Sequence, residues 1–139
     1  MTPDVSAPTD PGRHLTLLIV DDSTMMRAML KRAVLATGVP VHDVLEAADG
    51  SQGLAVLQQQ QVDVLFTDVN MPVMTGIELL RAVAGNARWD RLVRVIISTD
   101  GSEARRAEAT SLKVSRYVEK PFRPETMRDV LSELSSAHV

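Results

Sequence analysis

"QVDVLFTDVNMP" (residues 61–72) sets an apolar run, Val62 to Phe66, directly against Thr67 and Asp68, and then against Asn70, Met71 and Pro72. The run is too short for a helix and reads as a strand buried on both faces. A core strand that ends in a carboxylate directs that carboxylate at whatever lies beyond its C-terminal end.

The same texture recurs along the chain. "LTLLIV" (15–20) is an apolar run closed by Asp21 and Asp22. A helix follows over 23–38, with Ser23 as a capping residue, Met26, Met29, Leu30, Ala33 and Val34 at helical spacing, and Gly38 at its C-terminal end. The pattern then predicts strands at 43–48, 62–67, 94–98 and 115–120. Helices are expected over 51–60, 75–84 with Thr75 as cap, 102–112, and 124–136 with Pro in the first turn. Five apolar strands alternating with five helices imply right-handed crossovers and a doubly wound α/β fold. Its parallel five-stranded sheet is covered by helices on both faces.

In such open sheets the functional crevice lies outside the carboxyl ends of the strands. Those ends carry a polar series: Asp21 and Asp22 after the first strand, Asp68 after the third, Ser98 and Thr99 after the fourth, and Lys120 after the fifth. Singly each has a bland explanation, since an Asp-Asp-Ser favours a helix N-terminus and a Ser or Thr after a strand suits a turn. Their ordered recurrence at successive strand ends is not explained that way. Clustered carboxylates repel unless a cation sits among them, and Mg²⁺ suits one or two carboxylates with waters and phosphate oxygens. His14, His42 and His138 are scattered and there is no cysteine, which argues against zinc. A free carboxylate beside a cation can attack a phosphoryl group, and lysine and hydroxyl groups can neutralise the oxygens in flight.

The 139 residues suit one domain, and a net charge of -3 gives no pull toward nucleic acid or anionic membrane. Without cysteine there are no disulfides, and no run suits a signal peptide or a bilayer span, so a cytoplasmic protein is expected. Residues 1–14 mix Pro, Ser, Thr, Asp and Gly and read as a disordered tail ahead of one globular domain over 15–139.

Together "LLIVDDS", "DVLFTDVNMPVMTG", "RVIIST" and "YVEKPF" resemble the receiver domain of bacterial two-component response regulators, from Leu15 to the last helix. "VDDSTMMR" is similar to the stand-alone chemotaxis regulators in particular. The resemblance implies a flavodoxin-like strand order 2-1-3-4-5 and Asp68 as phosphoacceptor. It implies Mg²⁺ held by Asp21, Asp22, Asp68 and the backbone carbonyl of Asn70, with Asp22 favoured as direct ligand and Asp21 acting mainly through water. Lys120 would contact the phosphoryl group, next to a cis bond to Pro121. Family spacing puts the switch hydroxyl at Ser98, with Thr99 the alternative, and the aromatic that changes rotamer with it at Tyr117. The sequence departs from the family in "TSLKVS" (110–115), where many relatives carry Gly-Ala, and in the bulk of Thr99.

The function so implied is a single-domain response regulator rather than an enzyme. It would take its phosphoryl group from a sensor histidine kinase and signal by protein–protein binding, for which a motility switch is favoured, with no nucleic acid or membrane insertion. It would be a monomer or a weak phosphorylation-dependent dimer. The alternatives are a relay carrier serving a histidine phosphotransferase and a receiver-like module that is never phosphorylated. A hydrolase with an aspartyl nucleophile would want an acid at position 70, which is Asn.

Overall fold

The computed structural model describes residues 14–137, with side chains through residue 133. The tail expected over residues 1–14 lies, apart from His14, outside the described residues. Five strands and five helices alternate: β1 Leu15–Val20, α1 Thr24–Ala36, β2 Val41–Ala47, α2 Gly50–Gln59, β3 Val64–Thr67, α3 Gly76–Ala84, β4 Val93–Ser98, α4 Glu103–Ser111, β5 Arg116–Glu119 and α5 Pro124–Ala137. The strands form one parallel sheet in the order β2-β1-β3-β4-β5. This is the expected architecture.

Alternation along the strands builds two cores. Leu17 and Ile19 of β1, Val64 and Phe66 of β3, and Val95 and Ile97 of β4 pack with Leu30 and Val34 of α1 and Met127, Val130 and Leu131 of α5. The intervening residues Leu18, Val20, Leu65 and Ile96 face Leu57 of α2, Ile77, Leu80 and Val83 of α3, and Ala109 of α4. Both faces are therefore dry, which is why the strands read as continuous apolar runs. The edge strands differ: β2 exposes His42, Asp43 and Glu46, and β5 is four residues long with Glu119 exposed.

Caps set the helix starts. Ser23 accepts from the Met26 N–H, and Thr75 and Glu78 form a capping box at α3. Asp49, two residues past the end of β2, accepts from the Gln52 N–H and caps α2. β3 begins at Val64 rather than 62, because the Asp63 carboxylate takes the Thr16 N–H at 2.8 Å beside its own ladder to β1. Lys120 lies just past β5, with its N–H on the Ser98 carbonyl (2.8 Å) and a cis bond to Pro121.

Two local features went unanticipated. Ala87–Trp89 forms a 3-10 turn that tucks Trp89 into the core. Arg94 of β4 is buried, donating to the Trp89 (2.7 Å) and Leu112 (3.2 Å) carbonyls. Burial pulls its pKa below the ordinary arginine value, partly offset by the charge of Asp90. Met29, grouped with the apolar stripe of α1, is instead 45% exposed, while Leu30 and Val34 carry the buried face.

Candidate functional site

Strand order reverses at β1, which pairs with β2 on one side and β3 on the other. The crevice at that reversal opens beyond the C-terminal ends, where Val20 pairs with Thr67. The next residue on each strand is an aspartate. The Asp21 N–H bonds the Ala47 carbonyl (3.1 Å) and the Asp68 N–H bonds the Val20 carbonyl (3.0 Å), so the ladder itself delivers both acids to one rim.

Asp21, Asp22 and Asp68 present carboxylate oxygens that all lie within 4.8 Å of one another, with Asp21 buried, Asp68 half-buried and Asp22 exposed. Lys120 reaches in from beyond β5 and donates to Asp21 Oδ2 at 3.0 Å and to Asp68 Oδ2 at 3.1 Å. Burial would lower the Lys120 pKa, but the hydrogen bonds and charges of Asp21 and Asp68 outweigh it and hold the ammonium above the ordinary lysine value. One ammonium thus stands against three carboxylates. The excess negative charge, the all-oxygen donors and the mixed burial suit a hard divalent cation.

Neighbouring groups aim the acids. The Asp21 Oδ1 accepts from the Ser23 N–H (2.9 Å) and the Asp68 Oδ1 from the Val69 N–H (2.7 Å). Thr67 Oγ1 donates to the Asp68 carbonyl (2.8 Å). Arg27, on the first turns of α1, donates from Nη1 to the Asp21 carbonyl (2.6 Å) while its Nε pairs with Glu46 (3.1 Å). Gly76 opens α3 so tightly under this loop that a Cβ there would stand 1.8 Å from the Asp68 carbonyl oxygen. Arg27, Thr67 and Gly76 were not anticipated. Only the regular placement of Arg27 one turn inside the Ser23 cap hinted at the first of them.

The other expected residues lie around the same rim. Asn70 is exposed in the loop after Asp68. In that loop Val73 is 84% exposed with a φ of +68°. Ser98 is fully buried at the end of β4 and accepts from the Asp100 N–H (3.1 Å), whereas Thr99 is exposed. Tyr117 of β5 is half-buried, and its hydroxyl donates to the Asp100 carbonyl. Burial, then the Asp100 charge, raises the Tyr117 pKa above that of an ordinary tyrosine, with a Ser98 hydrogen bond and the Arg106 and Arg105 charges pulling the other way.

Comparison with known proteins agrees with this fold. The profile of the response regulator receiver domain matches residues 17–132. A chemotaxis protein CheY homolog of Campylobacter jejuni is 34% identical over 121 residues, 86% of this chain and 92% of that protein. The chemotaxis protein CheY of Pseudomonas aeruginosa is 34% identical over 86% of this chain and 95% of its own. Among solved structures, chemotaxis protein CheY4 of Vibrio cholerae superposes with a TM-score of 0.78 at 33% identity, covering 88% of this chain and 99% of that one.

Proposed function

We propose that this chain, which belongs to the response regulator receiver domain family, is a phosphoacceptor whose acceptor is Asp68. The observation that carries the reading is Lys120 bridging Asp21 and Asp68 inside a cluster of three carboxylates, at the crevice where strand order reverses. Asp68 Oδ attacks the phosphorus of the donor. A new P–O bond forms as the bond to the leaving group breaks, and the leaving group departs with the electron pair. Lys120 is placed to pass from the carboxylate to the phosphoryl oxygens as their charge arrives.

The residues fit a divalent ion. Asp21, Asp22 and Asp68, with the Asn70 carbonyl, would hold Mg²⁺, which supplies charge neutralisation to the phosphoryl oxygens when bound. Asp22, exposed, would be the direct ligand, and Asp21, tied to Ser23 and Lys120, would act on the ion less directly. For the switch hydroxyl the burial of Ser98 and its tie to the loop carrying Asp100 favour Ser98 over the exposed Thr99. Tyr117 changes position with it. Phosphorylation then biases two surface conformations that a partner tells apart.

The phosphoryl source is a histidine kinase in the cytoplasm, and the output is contact with another protein, with chemotaxis suggested by the relatives. Among the described residues no helix is long and apolar enough to cross a membrane. Incubation with acetyl phosphate and Mg²⁺, read by intact mass, is expected to add one phosphoryl group to the wild type and none to Asp68→Asn or to the wild type in chelator. No adduct on the wild type, where a known receiver reacts, overturns the reading in favour of a module that works unphosphorylated.

A further inference from the structure

The exposed side of Tyr117 is covered by charge. Arg106, in the first turn of α4, lays its guanidinium 4.7 Å from the centroid of the Tyr117 ring. The same guanidinium donates from Nη2 to Glu119 Oε1 at 2.7 Å and from Nε to the Gly101 carbonyl at 3.3 Å. Glu119 follows Tyr117 by two residues on β5, so both side chains project toward the same face. Gly101 completes the arrangement: a Cβ there would fall 2.2 Å from the Glu119 Cδ, so the carboxylate occupies space that only glycine leaves open. Beneath the ring, the hydroxyl is tied to the Asp100 carbonyl, next to the buried Ser98.

We propose that Arg106, Glu119 and Gly101 form a latch over Tyr117 that holds its ring against the end of β4 and thereby sets the balance between its two positions. The proposal rests on the reading of Tyr117 as the group that moves when Asp68 is modified. A cation facing an aromatic ring attracts it, and the ion pair to Glu119 fixes that cation in place. With Arg106 and Glu119 43% and 53% exposed, solvent screens the pair, so the latch biases the ring rather than locking it. Breaking it should change the ratio of ring positions about three- to tenfold. A ring that leaves must also surrender Arg106 and Glu119 to the α4–β5 surface, so the charge pattern a partner meets changes with the ring.

Tyr117 is the sole tyrosine, so protein labelled with 3-fluorotyrosine gives one ¹⁹F reporter on this ring. Glu119→Gln and Gly101→Ala delete no atom that touches the ring. Glu119→Gln removes the charge that anchors Arg106, and Gly101→Ala displaces the carboxylate. Both are expected to raise the population of a second ring signal by the same factor in unmodified protein, and Arg106→Ala by at least as much. Identical ring populations in the wild type and in both indirect variants overturn the latch. Each variant is also treated with acetyl phosphate and Mg²⁺. An unmodified Asp68 in every protein, wild type included, refutes the phosphoacceptor reading, while the ¹⁹F populations still decide the latch.

Discussion

Replacing Lys120 by Met keeps the stem and removes the ammonium that Asp21 and Asp68 share. The structure sets the scale. Both bonds are charge-assisted, at 3.0 and 3.1 Å, and the side chains of Lys120, Asp21 and Asp68 are only 12%, 3% and 14% exposed. Removing one partner of a buried ion pair costs roughly 3–5 kcal/mol, and residual solvent contact places this case near the lower bound. We therefore expect Lys120→Met to lose about 3 kcal/mol of unfolding free energy without divalent cations. Because the folded Lys120 pKa is raised, its contribution is complete below the ordinary lysine value and fades only as pH rises through the higher folded value. The deficit should thus be constant from neutral to mildly alkaline pH.

The same substitution leaves three carboxylates with no ammonium, so Mg²⁺ should bind the variant more tightly than the wild type. At about 5 Å and an effective dielectric near 20, each unit of repulsion relieved amounts to about 3 kcal/mol before screening by salt. Saturating Mg²⁺ is then expected to close the stability gap by at least about 1 kcal/mol. Urea unfolding followed by Trp89 fluorescence, with and without Mg²⁺, measures both quantities. A gap below about 1 kcal/mol in chelator, or one that widens with Mg²⁺, would show that the carboxylates are not held together by Lys120.

Two further predictions concern the loop that carries the acceptor. Gly76→Ala forces a Cβ onto the Asp68 backbone, so it should cost about 3 kcal/mol or more by thermal unfolding and slow formation of the acyl phosphate. Val73 places a β-branched side chain at a left-handed φ, and Val73→Asn should stabilise the fold by about 1 kcal/mol in urea unfolding. Equal stability of Val73→Asn and the wild type would mean that the loop relaxes around the valine.

Which parts of this molecule could be read from its residues follows from how each part is encoded. The sheet was legible because both faces are dry, making the three central strands apolar runs, and because parallel strands bring all their C-terminal ends to one edge. Asp21, Asp22, Asp68, Ser98 and Lys120 then had to converge, whatever the details of the loops. The capping residues Ser23 and Thr75 were legible as local signals, whereas Asp49 caps α2 from a position directly after an expected strand. Long side chains that reach between elements were not legible. Arg27 grips the Asp21 carbonyl from a helix flank, and Arg94 sits buried in β4 because two carbonyls from other segments meet it there. Arg106, in a segment that reads as a solvated helix face, finds Glu119 and Tyr117 across the next strand. None of these leaves a mark in local periodicity, since each arginine reaches a partner outside its own helix or strand.

The charged borders of the sheet decide how the molecule can meet its own kind. An unpaired strand edge is a template for another strand, and five parallel strands with dry faces would extend readily if either border allowed it. At β2, a strand added alongside would have to lie against His42, Asp43 and Glu46. At β5 only four residues are on offer, and Glu119 is engaged with Arg106. Sheet-to-sheet fusion, the usual route from a crowded α/β domain to aggregate, is therefore discouraged at both borders. Any reversible self-association is left to helix faces, where it can be made and unmade without disturbing the ladder that holds Asp21 beside Asp68.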